Sequence, residues 1–251
     1  MAGEQATDRS VYKITGADAR SFLQGLVSND VNKLDQGMIY TAMLTPQGKY
    51  LFDFFLLLQD GDILLDVKTD RAADLVQRLT MYRLRADVQI APASDLCVNR
   101  GLNDAPAGAH TDPRNPALGW RSYDSAPAGA PTIDWDAIRV PHCIPETGIE
   151  LIPDATYILE AGFETLNGVD FRKGCYVGQE VTARMKHKTE LRKGLRVVKI
   201  TGQAPVGSDI KRDGKPVGTL FTQSGGQAIA YLRLDRVGAG MQAEGAEISL
   251  D

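Results

Sequence analysis

The sequence predicts an α+β region followed by a small C-terminal β-barrel, on three observations. Between residues 38 and 92, apolar strands separated by tight turns alternate with one amphipathic helix, the pattern of an antiparallel sheet with helices on one side. After Gly194 the helical periodicity stops, and short strands recur between Gly, Pro, Asp and Ser, as in a small antiparallel barrel or sandwich. A length of 251 residues accommodates one large domain with a smaller one. A domain boundary is expected at about residue 191.

The elements follow in chain order. In Ala19–Asp30, Phe22, Leu23, Leu26 and Val27 fall on one helical face, and Asn29 and Asp30 are expected to end that helix. Ile39–Thr45 reads as a strand and Pro46–Lys49 as a turn, because proline sets φ early and glycine tolerates positive φ. Tyr50–Leu58 is the returning strand, Asp60–Gly61 a second hairpin turn and Asp62–Lys68 the third strand. Asp70–Leu84 is an amphipathic helix with Leu75, Val76, Leu79 and Tyr82 inward and Thr69 or Asp70 as N-cap. Ala86–Pro92 is a further strand. Residues 103–131, rich in Ala, Gly, Pro and Asp, read as loop with one short strand around Leu118–Tyr123. Thr132 is expected to cap a short helix carrying Trp135, and 154–163 to form another. Trp135 is either a core anchor or an aromatic wall for a flat ligand.

Composition narrows the function. The most apolar stretch, Tyr50–Leu58, is interrupted by Asp53, so a membrane helix is not predicted. The polar opening MAGEQATDRS has neither an apolar signal core nor an Arg-rich, acid-free face, and a cytoplasmic chain is expected. There is no GxGxxG and no phosphate-binding P-loop. Cys97, Cys143 and Cys175 are far apart, no CxxC occurs, and His110, His142 and His187 complete no zinc pattern. Reduced thiols and no self-contained metal site are expected. The net charge is −4, yet Arg172–Arg196 holds eight basic residues against Glu180 and Glu190. That basic run is either an anion-docking surface or a solvated face. It lacks an RNA-binding motif or interleaved aromatics, so direct tRNA contact is not expected.

The segment FRKGCYVGQE, residues 171–180, concentrates the chemistry. Gly174 and Gly178 allow a sharp bend or a close backbone approach. The helix-compatible residues from Gln179 onward place Cys175 just before a helix N-terminus, whose unpaired amides favour an anion. Together with Arg172 and Lys173, this setting would lower a thiol pKa. A reactive thiol, a metal-touching thiol and a small packed residue all fit. No nucleophile–base pair follows from the spacing of Cys175, Glu180 and His187.

GVDFRKGCYVGQE, followed by VTAR, resembles the K-G-C-[FY]-x-G-Q-E signature of the YgfZ-type folate-binding proteins, relatives of the glycine cleavage T-protein. ITGADARSFLQGLVSNDV and YTAMLTPQGKYLFDFFLL are similar to that family's N-terminal segments. The resemblance implies a folate-binding region over 1–190, built of two related α+β halves (about 1–92 and 93–190) around a central opening, and a barrel over 191–251. It further implies tetrahydrofolate or a derivative as ligand, and a role with partner proteins in assembling or maintaining iron–sulfur clusters, supporting [4Fe–4S] enzymes of tRNA methylthiolation. Cys175 maps to the family's functional cysteine, and Lys173, Gly174, Tyr176, Gly178, Gln179 and Glu180 to the rest of the signature. A pterin needs a flat slot and polar partners, for which Trp135 and Tyr176, and Asn29 and Glu180, are the candidates. Two departures stand out. Pro141-His142-Cys143 replaces the family's usual Glu-Ala-Gly, and Val67–Asp70 stands where aminomethyltransferases carry Asn-Ala. Folate-dependent one-carbon transfer is therefore the alternative reading.

Overall fold

The computed structural model describes residues 3–188 and 191–250. Contacts divide the chain into two compact units, Met1–Ile133 with Glu164–Gln179, and Asp134–Phe163 with Glu180–Asp251. Residues 134–163 thus group with the barrel segment. Glu190, next to the expected boundary, lies outside the described residues.

In the first unit the strands are β1 (Glu4–Gln5), β2 (Arg9–Thr15), β3 (Ile39–Leu44), β4 (Tyr50–Gln59) and β5 (Asp62–Lys68), with helices α1 (Ala19–Gln24) and α2 (Thr69–Arg83). They continue as β6 (Gln89–Pro92), β7 (Cys97–Gly101), β8 (His110–Thr111) and β9 (Trp120–Asp124). One antiparallel sheet has the order β3-β4-β5-β2-β6 and another the order β1-β7-β9-β8. The hairpins form where turn chemistry called for them. Asp60 and Gly61 both take positive φ (53° and 87°), as a two-residue hairpin requires. Thr45 N donates to Lys49 O across the Pro46–Lys49 turn.

One face of the five-stranded sheet packs Phe52, Phe54, Leu56, Leu65 and Val67 against Leu23 of α1 and Leu75 and Leu79 of α2. The other face is buried as well. Tyr40, Phe55 and Asp66 stand opposite one another across β3, β4 and β5, and this row meets arginines and aspartates from the β8–β9 region.

Helix expectations need correcting at four places, the last of them the cap of the short helix at Trp135. α1 stops at Gln24, well short of Asn29 and Asp30, because the backbone beyond it is taken by β3: Val27 bridges Met43, and Ser28 N donates to Ala42 O. α2 begins without a side-chain cap from Thr69 or Asp70; the Thr69 hydroxyl pairs with the Ser10 hydroxyl instead (2.9 Å). Residues 154–163 form consecutive turns and no helix, with Asp154 at φ 59°.

In the second unit α3 (Trp135–Arg139) is capped by Asp134, whose carboxylate accepts from Ala137 N at 3.1 Å. The expected cap, Thr132, instead gives its amide to Glu4 Oε2 in the first unit (2.6 Å). Helix α4 (Gln179–Lys188) leads to β10 (Lys193–Thr201), β11 (Asp209–Arg212), β12 (Lys215–Ser224), β13 (Gln227–Arg233), β14 (Met241–Ala243) and β15 (Ala246–Ser249). These six strands close into a barrel of order β10-β13-β12-β11-β14-β15. Its interior is filled by Val198, Ile210, Leu220, Ala230, Leu232 and Ile248, so it is a packed core.

Candidate functional site

The Cys175 loop is fastened to the stretch that follows α1. Ser28 Oγ donates to Gly168 O (2.6 Å), Asn29 Nδ2 to Asn167 O (2.8 Å), Asp170 N to Ser28 O (3.0 Å) and Val177 N to Gly25 O (3.3 Å). The Lys173 ammonium donates to Gln24 O at 2.8 Å and also to Val27 O. These carbonyls lie at and just past the end of α1, where the helix leaves its acceptors unpaired and a cation is favoured. Burial pushes Lys173 down to about 8, against the pull of Asp30 and Asp170. Its Nζ lies 4.8 Å from the centre of the Tyr176 ring, a cation–π contact.

Asp170 anchors the other end of the loop. Burial acts to raise its pKa, but the Lys33 ammonium (2.7 Å) and the Arg172 amide (2.6 Å) hold the carboxyl below the usual range. Gln179 Nε2 reaches back to Gly174 O (3.4 Å), drawing residues 174–179 into a small ring at the start of α4. The two signature glycines differ. Gly178 has φ 84°, and a Cβ there would lie 2.6 Å from Thr45 O and 2.9 Å from Leu44 Cβ. At Gly174 φ is not positive and nothing lies within 4 Å of a Cβ. So Gly178 answers a steric demand that Gly174 does not. Inside this frame Cys175 is exposed, four residues before the first residue of α4, with Arg172 also exposed.

The sequence-predicted residues therefore separate by role. Lys173 and Tyr176 are both buried at 7% exposure and hold the loop. Asn29, expected as a free polar partner, is instead a cross-tie. Its amide donates to Tyr40 O and Asn167 O (both 2.8 Å), and its oxygen accepts from Asp30 N (2.8 Å). Gln179 closes the ring, and Glu180 is exposed in the first turn of α4. Trp135 is half-buried in the second unit. Of the basic run, Lys173 is buried rather than on a surface, and Glu190 and the Lys188 side chain lie outside the described residues.

The stretch 139–145 divides into buried and exposed residues within the second unit. Arg139 is buried and donates to Glu150 Oε2 (3.0 Å), Ile144 O (3.3 Å) and the Thr222 hydroxyl. Cys143, at φ 52°, has its thiol pushed up to about 11 by burial, so it stays protonated at neutral pH. His142 is exposed.

A buried polar layer in the first unit escaped the sequence reading. Asp66 accepts from Arg9 Nε (2.6 Å), Arg121 Nη1 (3.3 Å) and the Tyr123 hydroxyl (2.9 Å). Asp112 accepts from Arg114 and Arg121 (2.9 and 3.0 Å at Oδ2). Arg9, Arg114 and Arg121 surround the Phe55 ring at 5.4, 4.9 and 4.2 Å from its centre. Asp53 accepts from the Tyr40 and Tyr50 hydroxyls (3.0 and 2.6 Å). The available signal was a carboxylate inside each of two otherwise apolar strands, Asp53 in β4 and Asp66 in β5.

Among the described residues no group of three or more His, Cys, Asp or Glu could hold a metal ion.

Comparison with known proteins agrees with this architecture. Residues 192–251 match the family described as "CAF17, C-terminal beta-barrel domain". The chain is 34% identical over 216 residues to the iron–sulfur cluster assembly factor IBA57 homolog, mitochondrial, of Mycosarcoma maydis, a match covering 74% of this chain and 54% of that protein. It is 29% identical to the human iron–sulfur cluster assembly factor IBA57, mitochondrial, over 96% of this chain and 81% of that one. The mouse protein of the same name is 28% identical. The chain spans about half the length of the first fungal relatives. Those relatives are named as mitochondrial, which overturns the cytoplasmic location expected from the polar N-terminus. The fold is similar to the glycine cleavage system aminomethyltransferase T of Bartonella henselae, with TM-score 0.75 at 14% identity, over 97% of this chain and 82% of that one. The chain therefore has a T-protein-like α+β fold completed by a CAF17-type C-terminal β-barrel, and its homologues are IBA57 iron–sulfur cluster assembly factors.

Proposed function

We propose that this chain is an iron–sulfur cluster assembly factor of the mitochondrial type its relatives are named for, with Cys175 as its working thiol. The observation that carries this reading is an exposed cysteine on a loop held in place by the buried Lys173 and Tyr176, by Gly178 and by the Gln179 side chain. A thiol required only for packing would be buried. One thiol without companion ligands suits a cluster shared with a partner protein that supplies the remaining ligands. The exposed Arg172 supplies positive charge beside the loop for an anionic cargo.

The YgfZ-type reading adds a reduced folate, and supply of [4Fe–4S] clusters to enzymes of tRNA methylthiolation, as further proposals. Asn29 and Tyr176 do not fit a direct pterin contact, since the Asn29 amide is used within the chain and Tyr176 is buried beneath Lys173. The exposed Glu180 and the half-buried Trp135 are the remaining candidates from that reading. The transferase alternative rests on fold likeness alone, and fold does not carry function.

The test is complementation in cells lacking the endogenous assembly factor, together with tetrahydrofolate titration of the purified protein. Cys175→Ala is expected to abolish recovery of [4Fe–4S] enzyme activity while leaving folate binding intact. Full recovery with Cys175→Ala removes the role assigned to the thiol. Absence of tetrahydrofolate binding in the wild type removes the folate proposal alone.

A further inference from the structure

We propose that the C-terminal end of α2 is a docking surface for an acidic, apolar segment of a partner protein, with Leu84 as the anchor. This goes beyond the Cys175 reading and stands independently of it. After α2 the chain makes a tight turn in which Ala86 N donates to Arg83 O (2.8 Å). Leu84 occupies its first central position at φ 45°, ψ −105°. That is the conformation of the leading residue in a type II′ turn, a position dominated by glycine. A leucine there carries backbone strain that a glycine would not.

The Leu84 side chain is 88% exposed, and Met81, one turn earlier, is 67% exposed. Both are among the few large apolar side chains left in solvent, while the intervening Tyr82 packs inward on the core. A strained backbone presenting an unburied leucine is a local conflict of the kind that marks functional positions.

Charge identifies the occupant. Arg78 and the exposed Arg85 flank the two apolar side chains, and neither makes an ion pair or hydrogen bond with the described residues. The acids nearest in sequence are engaged elsewhere, Asp74 with Arg71 (3.2 Å) and Asp87 with the Ala17 amide (3.2 Å). Two apolar side chains rimmed by unneutralised guanidinium groups are complemented by apolar residues flanked with carboxylates. A lipid surface fits less well, because two side chains bury less apolar surface than a single acyl chain, which by itself gives only marginal membrane binding.

Fluorescence anisotropy tests the surface with a labelled acidic amphipathic peptide, Leu and Phe on one face and Glu on the other, against its Lys-for-Glu counterpart. The wild-type protein is expected to bind the acidic peptide about ten-fold or more tighter than the basic one, with affinity falling as salt rises. Leu84→Gly is expected to weaken the acidic peptide by about ten-fold, as loss of an interface anchor does, while raising the melting temperature because the strain is relieved. Arg85→Gln is expected to weaken the acidic peptide and spare the basic one. Equal affinity for the two peptides, or undiminished binding by Leu84→Gly, overturns the proposal. So does a lowered melting temperature in Leu84→Gly. Leu84-dependent co-sedimentation with phosphatidylserine vesicles, or Leu84-dependent dimers in sedimentation velocity, overturns it in favour of a membrane or a second copy.

Discussion

Replacing Lys173 with methionine keeps the length of the side chain and removes the ammonium that bonds Gln24 O and Val27 O. Two charge-assisted hydrogen bonds contribute about 3–6 kcal/mol. Against this stands the cost of holding the charge in a buried site, visible as a pKa lowered from 10.5 to about 8, worth about 3 kcal/mol at 1.36 kcal/mol per unit. The net loss at pH 7 is therefore at most about 3 kcal/mol, measurable by urea unfolding. The sign of the pH dependence is also fixed. The folded pKa lies below the unfolded one, so between about pH 8 and 10.5 the unfolded chain binds more protons. Wild-type stability should rise with pH over that window relative to Lys173→Met. Locally, the Val177 amide, bonded to Gly25 O at 3.3 Å, should lose exchange protection as the loop loosens. Unchanged Val177 exchange together with unchanged stability would refute the idea that Lys173 fastens the cysteine loop to the end of α1.

The two signature glycines should part company on substitution. Gly178→Ala combines a positive φ with a 2.6 Å approach to Thr45 O and is expected to cost about 2–4 kcal/mol in chemical denaturation, whereas Gly174→Ala stays within about 0.5 kcal/mol. Asp66→Asn weakens the charge that Arg9 and Arg121 face in the buried layer; about 3–5 kcal/mol is the expected loss, and a change under 1 kcal/mol contradicts the burial argument. Burial tends to raise the Asp112 pKa, but Arg114 and Arg121 overcome it and bring the carboxyl to about 2. Its stabilisation is thus present above about pH 4 and lost as pH falls toward 2, about 2 kcal/mol in all. Acid titration of stability in Asp112→Asn should lack that limb.

The sheet and the barrel were legible in the sequence because their signals are local. Asp60-Gly61 and Gln47-Gly48 carry the positive-φ chemistry that a turn needs, and short apolar runs bounded by such turns have few other ways to fold. In the sequence Gly174 and Gly178 have the same role, and only the structure shows that Gly178 alone meets a steric demand. What tertiary structure decided was the partner of each polar group. Asn29 read as a free amide because nothing nearby in sequence shows that Asn167 and Tyr40 offer it their carbonyls. Lys173 read as positive charge for a neighbouring thiol, yet its ammonium goes to the carbonyls just past α1, contributed by a segment some 146 residues away. α1 read as running to Asn29 because its apolar spacing continues, while the competing bonds come from β3, a non-local strand that outweighs helical propensity. Residues 154–163 failed for the same reason: composition permits a helix, and the turns they adopt are set by packing within their unit. Local chemistry thus singled out Cys175 as the candidate thiol, and long-range hydrogen bonding determined which of its neighbours hold the loop in place and which are left exposed.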